Sequence, residues 1–318
     1  KYITENNTTT ASGMDSDSKY TIQRFATGAE NLQSEESTNS SIGFVIQPEQ
    51  LEGLTITYDA WKIEKDKTIG LFGRDNHTVL DLAMLIENGA SNCDSFTGNS
   101  AVLRDTDELD DGVLALFATA GICPVGQAYR VTDEYINMAK RTLEGQDVGV
   151  NYNFDTDVGT FRFKYNVTFT DTFKQVPTGN FSTIQNAQAS GAIPDYIVLK
   201  GFGDLLGIDG NYDEKHSMKL SWRKGDWGAS LSGLKKGSFT QSSLTLGDGT
   251  KYNIPSMTTM DASVYYKFKV GDGSARIKFA VKNLEDTRAP TADRFFGFFA
   301  DAHQDYGRNY YLSLKVDM

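Results

Sequence analysis

The chain has 318 residues, 39% hydrophobic, 12% aromatic and 23% charged, with a formal net charge of -11. That acidic balance argues against a nucleic-acid partner, whose phosphates need a basic surface, and it suits either hydrated acidic loops or simple solubility. No run approaches ~18 apolar residues, which excludes a transmembrane helix but not a membrane β-barrel, where polar residues dilute the apolar ones.

The first residues read Lys-Tyr-Ile-Thr-Glu-Asn-Asn with no secretory signal, so the true N-terminus of an exported protein is expected to lie outside this chain. Lys19–Phe25 is a possible first strand, and Pro48–Gly53 a short turn. Thr78-Val-Leu-Asp81 resembles a capping box and predicts a loop helix, with Leu82, Leu85 and Ile86 on one face and Gly89 as its stop. Phe161, Phe163, Tyr165, Val167 and Phe169 interleave with Arg162, Lys164, Asn166, Thr168 and Thr170, the period of a strand with one apolar and one wet face. Phe181–Ser190, stopped by Gly191, predicts a second loop helix.

Met218, Leu220 and Trp222 then alternate with Lys219, Ser221 and Arg223. Met260, Ala262, Val264, Tyr266 and Phe268 alternate with Asp261, Ser263, Tyr265, Lys267 and Lys269. Ala275, Ile277, Phe279 and Val281 alternate with Arg276, Lys278, Ala280 and Lys282. The last strand sets Tyr310, Leu312, Leu314, Val316 and Met318 against Tyr311, Ser313, Lys315 and Asp317. Short turns at Pro48–Gly53, Asp155–Gly159, Lys224–Trp227 and Gly271–Ser274 alternate with long loops near 67–130, 173–213, 239–256 and 284–307. The pattern predicts an all-β chain of about nine strands, with the possible tenth at Lys19–Phe25. A soluble sandwich also alternates, but here the polar face repeats Lys and Arg, as a water-filled lumen would.

Cys93 and Cys123 fall in one polar loop and are expected to pair in an oxidising compartment. Asp105, Asp107, Glu108, Asp110 and Asp111 form an acidic patch in that loop. Their oxygens could gather Ca²⁺, although the spacing is not an EF-hand, and a solvated loop is the plainer reading. Phe295, Phe296, Phe298 and Phe299 form an aromatic cluster near His303. It is either a ligand contact at a barrel mouth or loop packing in an aromatic girdle. His77, His216 and His303 are far apart in sequence and lack metal-ligand spacing. No nucleophile elbow accompanies them.

Several segments resemble the TonB-dependent outer-membrane receptors. Gly28-Ala-Glu-Asn31-Leu32, Glu35-Glu36-Ser37, Ile42-Gly43-Phe44, Gln47-Pro48 and Leu54 through Tyr58-Asp59-Ala-Trp61-Lys-Ile63 follow that family's order. Ala29 and Ser34 depart from its usual Asn and Pro. Ser100 to Asp105, Gly145-Gln-Asp147 with Val150, Tyr152 and Phe154, Val281-Lys-Asn283-Leu284-Glu-Asp286, and Ala302-His303 with Gly307-Arg308 continue the match to the last strand. Met318 stands where most such barrels end in Phe.

The resemblance implies that residues 1–318 are the C-terminal part of a transmembrane antiparallel β-barrel of about 22 strands, with plug domain and N-terminal strands elsewhere. It implies a receptor in the cell outer membrane, not an enzyme, that takes up an oligosaccharide, peptide or metal chelate. Its partners would be the plug and remaining strands, the TonB complex, outer-membrane lipid and lipopolysaccharide, and a small nutrient. A passive porin, a small barrel and a soluble extracellular β-sheet domain are the alternatives.

Overall fold

The structure, a computed structural model, describes residues 22–96, 98–177, 179–194, 197 and 199–317. Met318 and the first residues of the Lys19–Phe25 expectation lie outside this set. In chain order the elements are β1 (Gln23–Thr27), β2 (Glu36–Ile46), β3 (Leu54–Asp66), β4 (Ile69–Leu71), α1 (Arg74–Asn88), β5 (Val102–Arg104) and α2 (Asp111–Ala120). They continue with β6 (Ala128–Asn137), β7 (Arg141–Thr156), β8 (Gly159–Gln175), α3 (Asn180–Ala189), β9 (Gly203–Asp204), β10 (Glu214–Lys224) and β11 (Trp227–Lys236). The last are β12 (Phe239–Thr245), β13 (Lys251–Ile254), β14 (Met257–Val270), β15 (Gly273–Lys282) and β16 (Asn309–Asp317).

The described residues divide into two compact units, one within residues 22–36, 65–140 and 176–203, the other within 37–64, 141–175 and 204–317. The second unit carries the large sheet, in the order β16-β15-β14-β11-β10-β8-β7-β3-β2. Neighbours from β7 to β16 are antiparallel. Alternation of aromatic and β-branched residues with polar ones puts each set on its own face of the pleat. In register, Val264, Phe279 and Leu312 make one apolar row, and Tyr266, Ile277 and Leu314 the next. Two-residue links close β7–β8, β10–β11 and β14–β15. Gly225 and Gly271 open two of these turns at φ 55° and 58°, in the left-handed region that glycine enters without steric cost.

The sheet path is open, with β2 and β16 as its outer strands. Every residue of β2 is exposed, and Leu312 and Leu314 of β16 are 72% and 64% exposed. Edges with bare amides and exposed apolar side chains of this kind invite pairing with further strands. Among the described residues no helix is long and apolar enough to cross a membrane.

The first unit is built around β6, which pairs parallel with β1 and antiparallel with β4 and β5. The strand expected around Lys19–Phe25 therefore exists as β1 but does not join the large sheet. Phe72, Leu80, Phe181, Ile184 and Phe202 form one core cluster of this unit, and Leu85, Phe117, Ile122 and Cys123 another. The second unit has a cluster of its own in Phe239, Ile254, Phe299 and Ala302.

The first loop helix begins a turn earlier than its supposed capping box. α1 is capped by Gly73, and the buried Asp133 carboxylate accepts the Gly73 N–H at 3.2 Å on each oxygen. A tertiary carboxylate at a helix N-terminus takes over the capping role. The Thr78 hydroxyl instead donates to the Asp75 carbonyl, and Asp81 accepts from the Asn99 N–H and from Arg104. Gly89 is the stop as expected, but Leu80, Ala83 and Leu85 supply the buried apolar face. α3 lies one residue before its expected span. α2 is a further helix, not among those expected from the sequence. Asp110 caps it by accepting the Val113 N–H at 2.9 Å, and Gly121 ends it at φ 68°. An Asp before Val113, Leu114, Leu116 and Phe117, then Gly121, was the available signal.

Candidate functional site

Within the first unit, segments remote in sequence converge on a cavity of about 670 Å³, inside the usual size range of small-molecule sites. On β6, Thr132 and Glu134 alternate onto the cavity side, and Thr27 of β1 stands directly opposite Glu134. Ser100 and Ala101 enter from the segment before β5, held by the Thr132 N–H donating to the Ala101 carbonyl at 2.8 Å. Asn180 enters from the start of α3, and Phe72 and Phe202 of the adjoining core cluster complete the lining. Among the described residues no Lys or Arg side chain lines it, and Glu134 is the one carboxylate.

His77 in the first turn of α1 lies at the inner edge of this cavity. Its Nδ1 is 3.2 Å from the Asn99 amide nitrogen, which also donates to the His77 carbonyl at 2.9 Å. That donor assigns the ring proton to Nε2, which points toward the Asp133 carboxylate at 3.3 Å without forming a well-shaped hydrogen bond. Burial pushes the His77 pKa below its usual value, against the opposing pull of Asp133. The imidazole is therefore neutral at neutral pH. Asp133 is fully buried, with the Arg24 guanidinium at 4.0 Å. The Asp133 side of His77 thus fixes the scaffold, while Thr27, Ser100, Thr132, Glu134 and Asn180 offer the cavity polar groups free to meet a ligand.

The second unit has a different chemistry. The polar face of its sheet lines a cavity of about 490 Å³ with Arg162, Lys164, Lys219, Arg223, Arg276 and Lys278, and no carboxylate. The structure thus gathers the Lys and Arg row expected on a wet face. On the opposite face near the short turns, aromatic rings pack in pairs, one stacked and one tilted. Phe154 and Phe161 lie 5.3 Å apart, and Trp227 and Tyr266 4.7 Å. Aromatic bands of this kind border the membrane face of barrels.

The remaining candidates are dispersed. Phe295 and Phe296 are 95% and 66% exposed, whereas Phe299 is buried and packs edge-on to Phe239. His303 is buried and stacked on Phe239, and neither ring nitrogen has a hydrogen-bond partner among the described residues. Burial and the nearby Lys236 charge lower its pKa. In the same loop Arg288 grips Asp305, whose pKa falls to about 2 through the Arg288 hydrogen bond and the Ala289 N–H. Cys93 and Cys123 form a disulfide. Of the acidic patch, Asp110 caps α2, Asp105 accepts the Asp107 N–H, and Asp111 lies in the first helical turn. Glu108 is exposed between them. Among the described residues no three His, Cys, Asp or Glu groups converge as a cation would require.

A family model described as TonB dependent receptor-like, beta-barrel matches residues 5–284. The siderophore receptor PirA from Acinetobacter baumannii is similar in fold, with a TM-score of 0.52 and 14% identity over 91% of this chain and 32% of PirA. A mutant of the ferric enterobactin receptor PfeA from Pseudomonas aeruginosa gives 0.50 and 14% over 92% of this chain and 32% of that one. The chain thus spans about a third of the length of these solved structures. Among curated proteins, none matches.

Proposed function

From the premise that this chain belongs to the TonB-dependent receptor β-barrel family, we propose that it forms part of an outer-membrane receptor for energy-coupled uptake of a scarce nutrient. The chain would contribute lipid-facing strands, part of the lumen wall and ligand-facing loops. The plug and remaining strands complete the barrel, and the TonB complex supplies the pull from the inner membrane. The observation that carries this reading is that one chain holds both an open sheet with an apolar, aromatic-banded face and a separate loop unit with a polar cavity.

The nutrient is an oligosaccharide, a peptide or a metal chelate. A lining of hydroxyl and amide groups with one carboxylate and no cation favours neutral or cationic ligands over anionic chelates. The protein performs no chemistry on its ligand. The test is uptake by cells expressing the whole receptor, offered labelled oligosaccharides, peptides and ferric chelates, with and without TonB. Uptake of one class that vanishes without TonB is expected. Uptake that persists without TonB would mean a passive pore and sink the reading.

A further inference from the structure

We propose that the cavity of the first unit binds the N-terminus of a peptide, with Glu134 holding the α-ammonium group, Ile136 and Met138 covering the first side chain, and Thr132, Ser100 and Asn180 meeting the first peptide groups. The inference deepens the proposed function and rests on reading this cavity as the ligand site. Its basis is the order of side chains along one strand. Thr132, Glu134 and Ile136 of β6 alternate onto the cavity side, and Met138 follows just past the end of the strand. Hydroxyl, carboxylate and apolar side chain therefore stand in a row, successive ones roughly 7 Å apart.

That order matches the groups about the first Cα of a peptide, where the ammonium lies between a side chain and the start of the amide backbone. Consecutive Cα atoms are about 3.8 Å apart, so the row spans the first two residues of such a ligand. Glu134 carries the only charge among the described residues that line the cavity, since the His77 ring is neutral. Its neighbour Asp133 is spent on the scaffold, facing Arg24 and the Gly73 N–H. Thr27 stands opposite Glu134 in the parallel register with β1, and its hydroxyl offers a second acceptor to an ammonium group that has three protons to donate.

The apolar end of the row selects among amines. Gly70 of β4 pairs with Ile136, and a Cβ at Gly70 would lie 2.3 Å from the terminal methyl of Met138. The bare glycine thus leaves Met138 room beside Ile136. Phe72 and Phe202 add further apolar lining. Asn137 brings no free polar group here, because its amide donates to the Gln33 and Lys67 carbonyls at 2.8 Å each. An amino sugar held at Glu134 would turn ring hydroxyls toward this end and leave them without partners, which is costly. A peptide places a side chain there, and the unbranched thioether of Met138 adapts to side chains of different shape.

The experiment measures equilibrium binding to the purified whole receptor in detergent by isothermal titration calorimetry. The probes are leucyl-glycyl-glycine amide, its N-acetylated form, triglycine amide and glucosamine. The leucyl peptide is expected to bind, and N-acetylation, which removes its charge, to weaken binding at least ~10-fold. Glu134→Gln should weaken the free amine by a similar factor and leave the acetylated form unchanged. Triglycine amide, lacking the side chain, should bind at least ~5-fold more weakly than the leucyl peptide. Equal binding of the free and acetylated peptides would overturn the proposal, as would no binding of any peptide. Glucosamine binding more tightly than the leucyl peptide would overturn it in favour of an amino sugar. The acetylation comparison uses the unaltered receptor, so it decides the matter even where Glu134→Gln does not fold. No readout uses uptake. TonB-dependent transport by a receptor indifferent to N-acetylation therefore refutes the peptide amine alone, and amine-selective binding with TonB-independent uptake refutes energy coupling alone.

Discussion

The Cys93–Cys123 disulfide gives the most quantitative handle on the loop unit. The two cysteines are 30 residues apart in sequence with Cα atoms 5.2 Å apart. In the chain-entropy treatment, a loop of this length removes enough freedom from the opened state to stabilise the closed one by about 3.6 kcal/mol. That is a factor of roughly 400 in the opening equilibrium. Cys123 is also fully buried in the cluster of Leu85, Phe117 and Ile122, so a Cys93→Ala/Cys123→Ala variant loses packing together with the covalent link. Reduction of the wild-type protein separates the two, because it breaks the link and keeps both sulfurs. The assay is limited proteolysis of the whole receptor under conditions where opening and closing outpace cleavage, so that cleavage tracks the open population. Reduction should raise cleavage within residues 90–125 by two to three orders of magnitude and leave β8 and β10 unaffected. A rise below ~10-fold would show that the loop does not open as one unit on its entropy, and the reasoning would fail.

Asp133→Ala leaves the Gly73 N–H and Arg24 without their buried acceptor. Because Arg24 is half exposed and keeps its solvent, the loss is chiefly that of the Gly73 acceptor and should cost the first unit about 1–3 kcal/mol, visible as lost hydrogen-exchange protection in α1 and β6. His77 is neutral when folded because burial lowers its pKa, so its contribution is complete above the ordinary value near ~6.5. That contribution declines as pH falls through that value toward the lower folded one. Protection of α1 should therefore drop as pH falls below the ordinary histidine value, and His77→Gln should flatten the dependence. Asp305 has the opposite window, with a folded pKa of about 2 set chiefly by Arg288. Its contribution is present above its ordinary value near ~3.9 and lost as pH falls toward 2, so cleavage beside Phe295 should stay flat down to pH ~4. Asp305→Asn should raise that cleavage at neutral pH. Gly53→Ala puts a Cβ 2.1 Å from the Asn153 carbonyl oxygen at φ 85°, whereas Gly191→Ala meets nothing within 4 Å at φ 75°. Both carry the left-handed penalty of about 1 kcal/mol, but only the first should reduce the folded receptor recovered from membranes.

The strands were legible because a strand writes its two faces into every second residue. Once Phe161 to Phe169 alternated with Arg162 to Thr170, both the apolar face and the cationic face followed. The registers that run from β8 through β10, β11 and β14 to β15 then brought together cations from three separate strands. The short turns were legible for a related reason, since Gly225 and Gly271 mark positions few other residues accept. The start of α1 was not, because its cap comes from Asp133, 60 residues from Gly73. Nothing local to Thr78 distinguishes a capping box from a mid-helix threonine. Likewise β1 resembled a barrel strand by composition, and only its parallel partner β6 places it in another sheet.

The loop cavity was illegible for a deeper reason. Thr27, His77, Ser100, Thr132, Glu134 and Asn180 share no period, because the elements that carry them meet through buried contacts rather than through one repeating backbone. Those contacts are themselves polar. Asn76 donates to the Lys200 carbonyl, and Asn99 bridges the His77 carbonyl and the Ala101 N–H. Buried amides of this kind are stable only when fully partnered, so each fixes one loop against another where a greasy contact could slide. Composition shows such asparagines only as polar loop residues. The Phe295 to Phe299 cluster errs in the other direction. It reads as one patch in sequence, but the turn at Gly297, φ 76°, separates exposed Phe295 and Phe296 from buried Phe299. Ligand contact by that loop would therefore run through Phe295 and Phe296, while Phe299 and His303 hold the loop in place. Phe295→Ala with Phe296→Ala should weaken ligand binding without increasing proteolysis of residues 284–307, whereas Phe299→Ala should increase proteolysis first. Equal proteolysis in the two variants would remove the distinction.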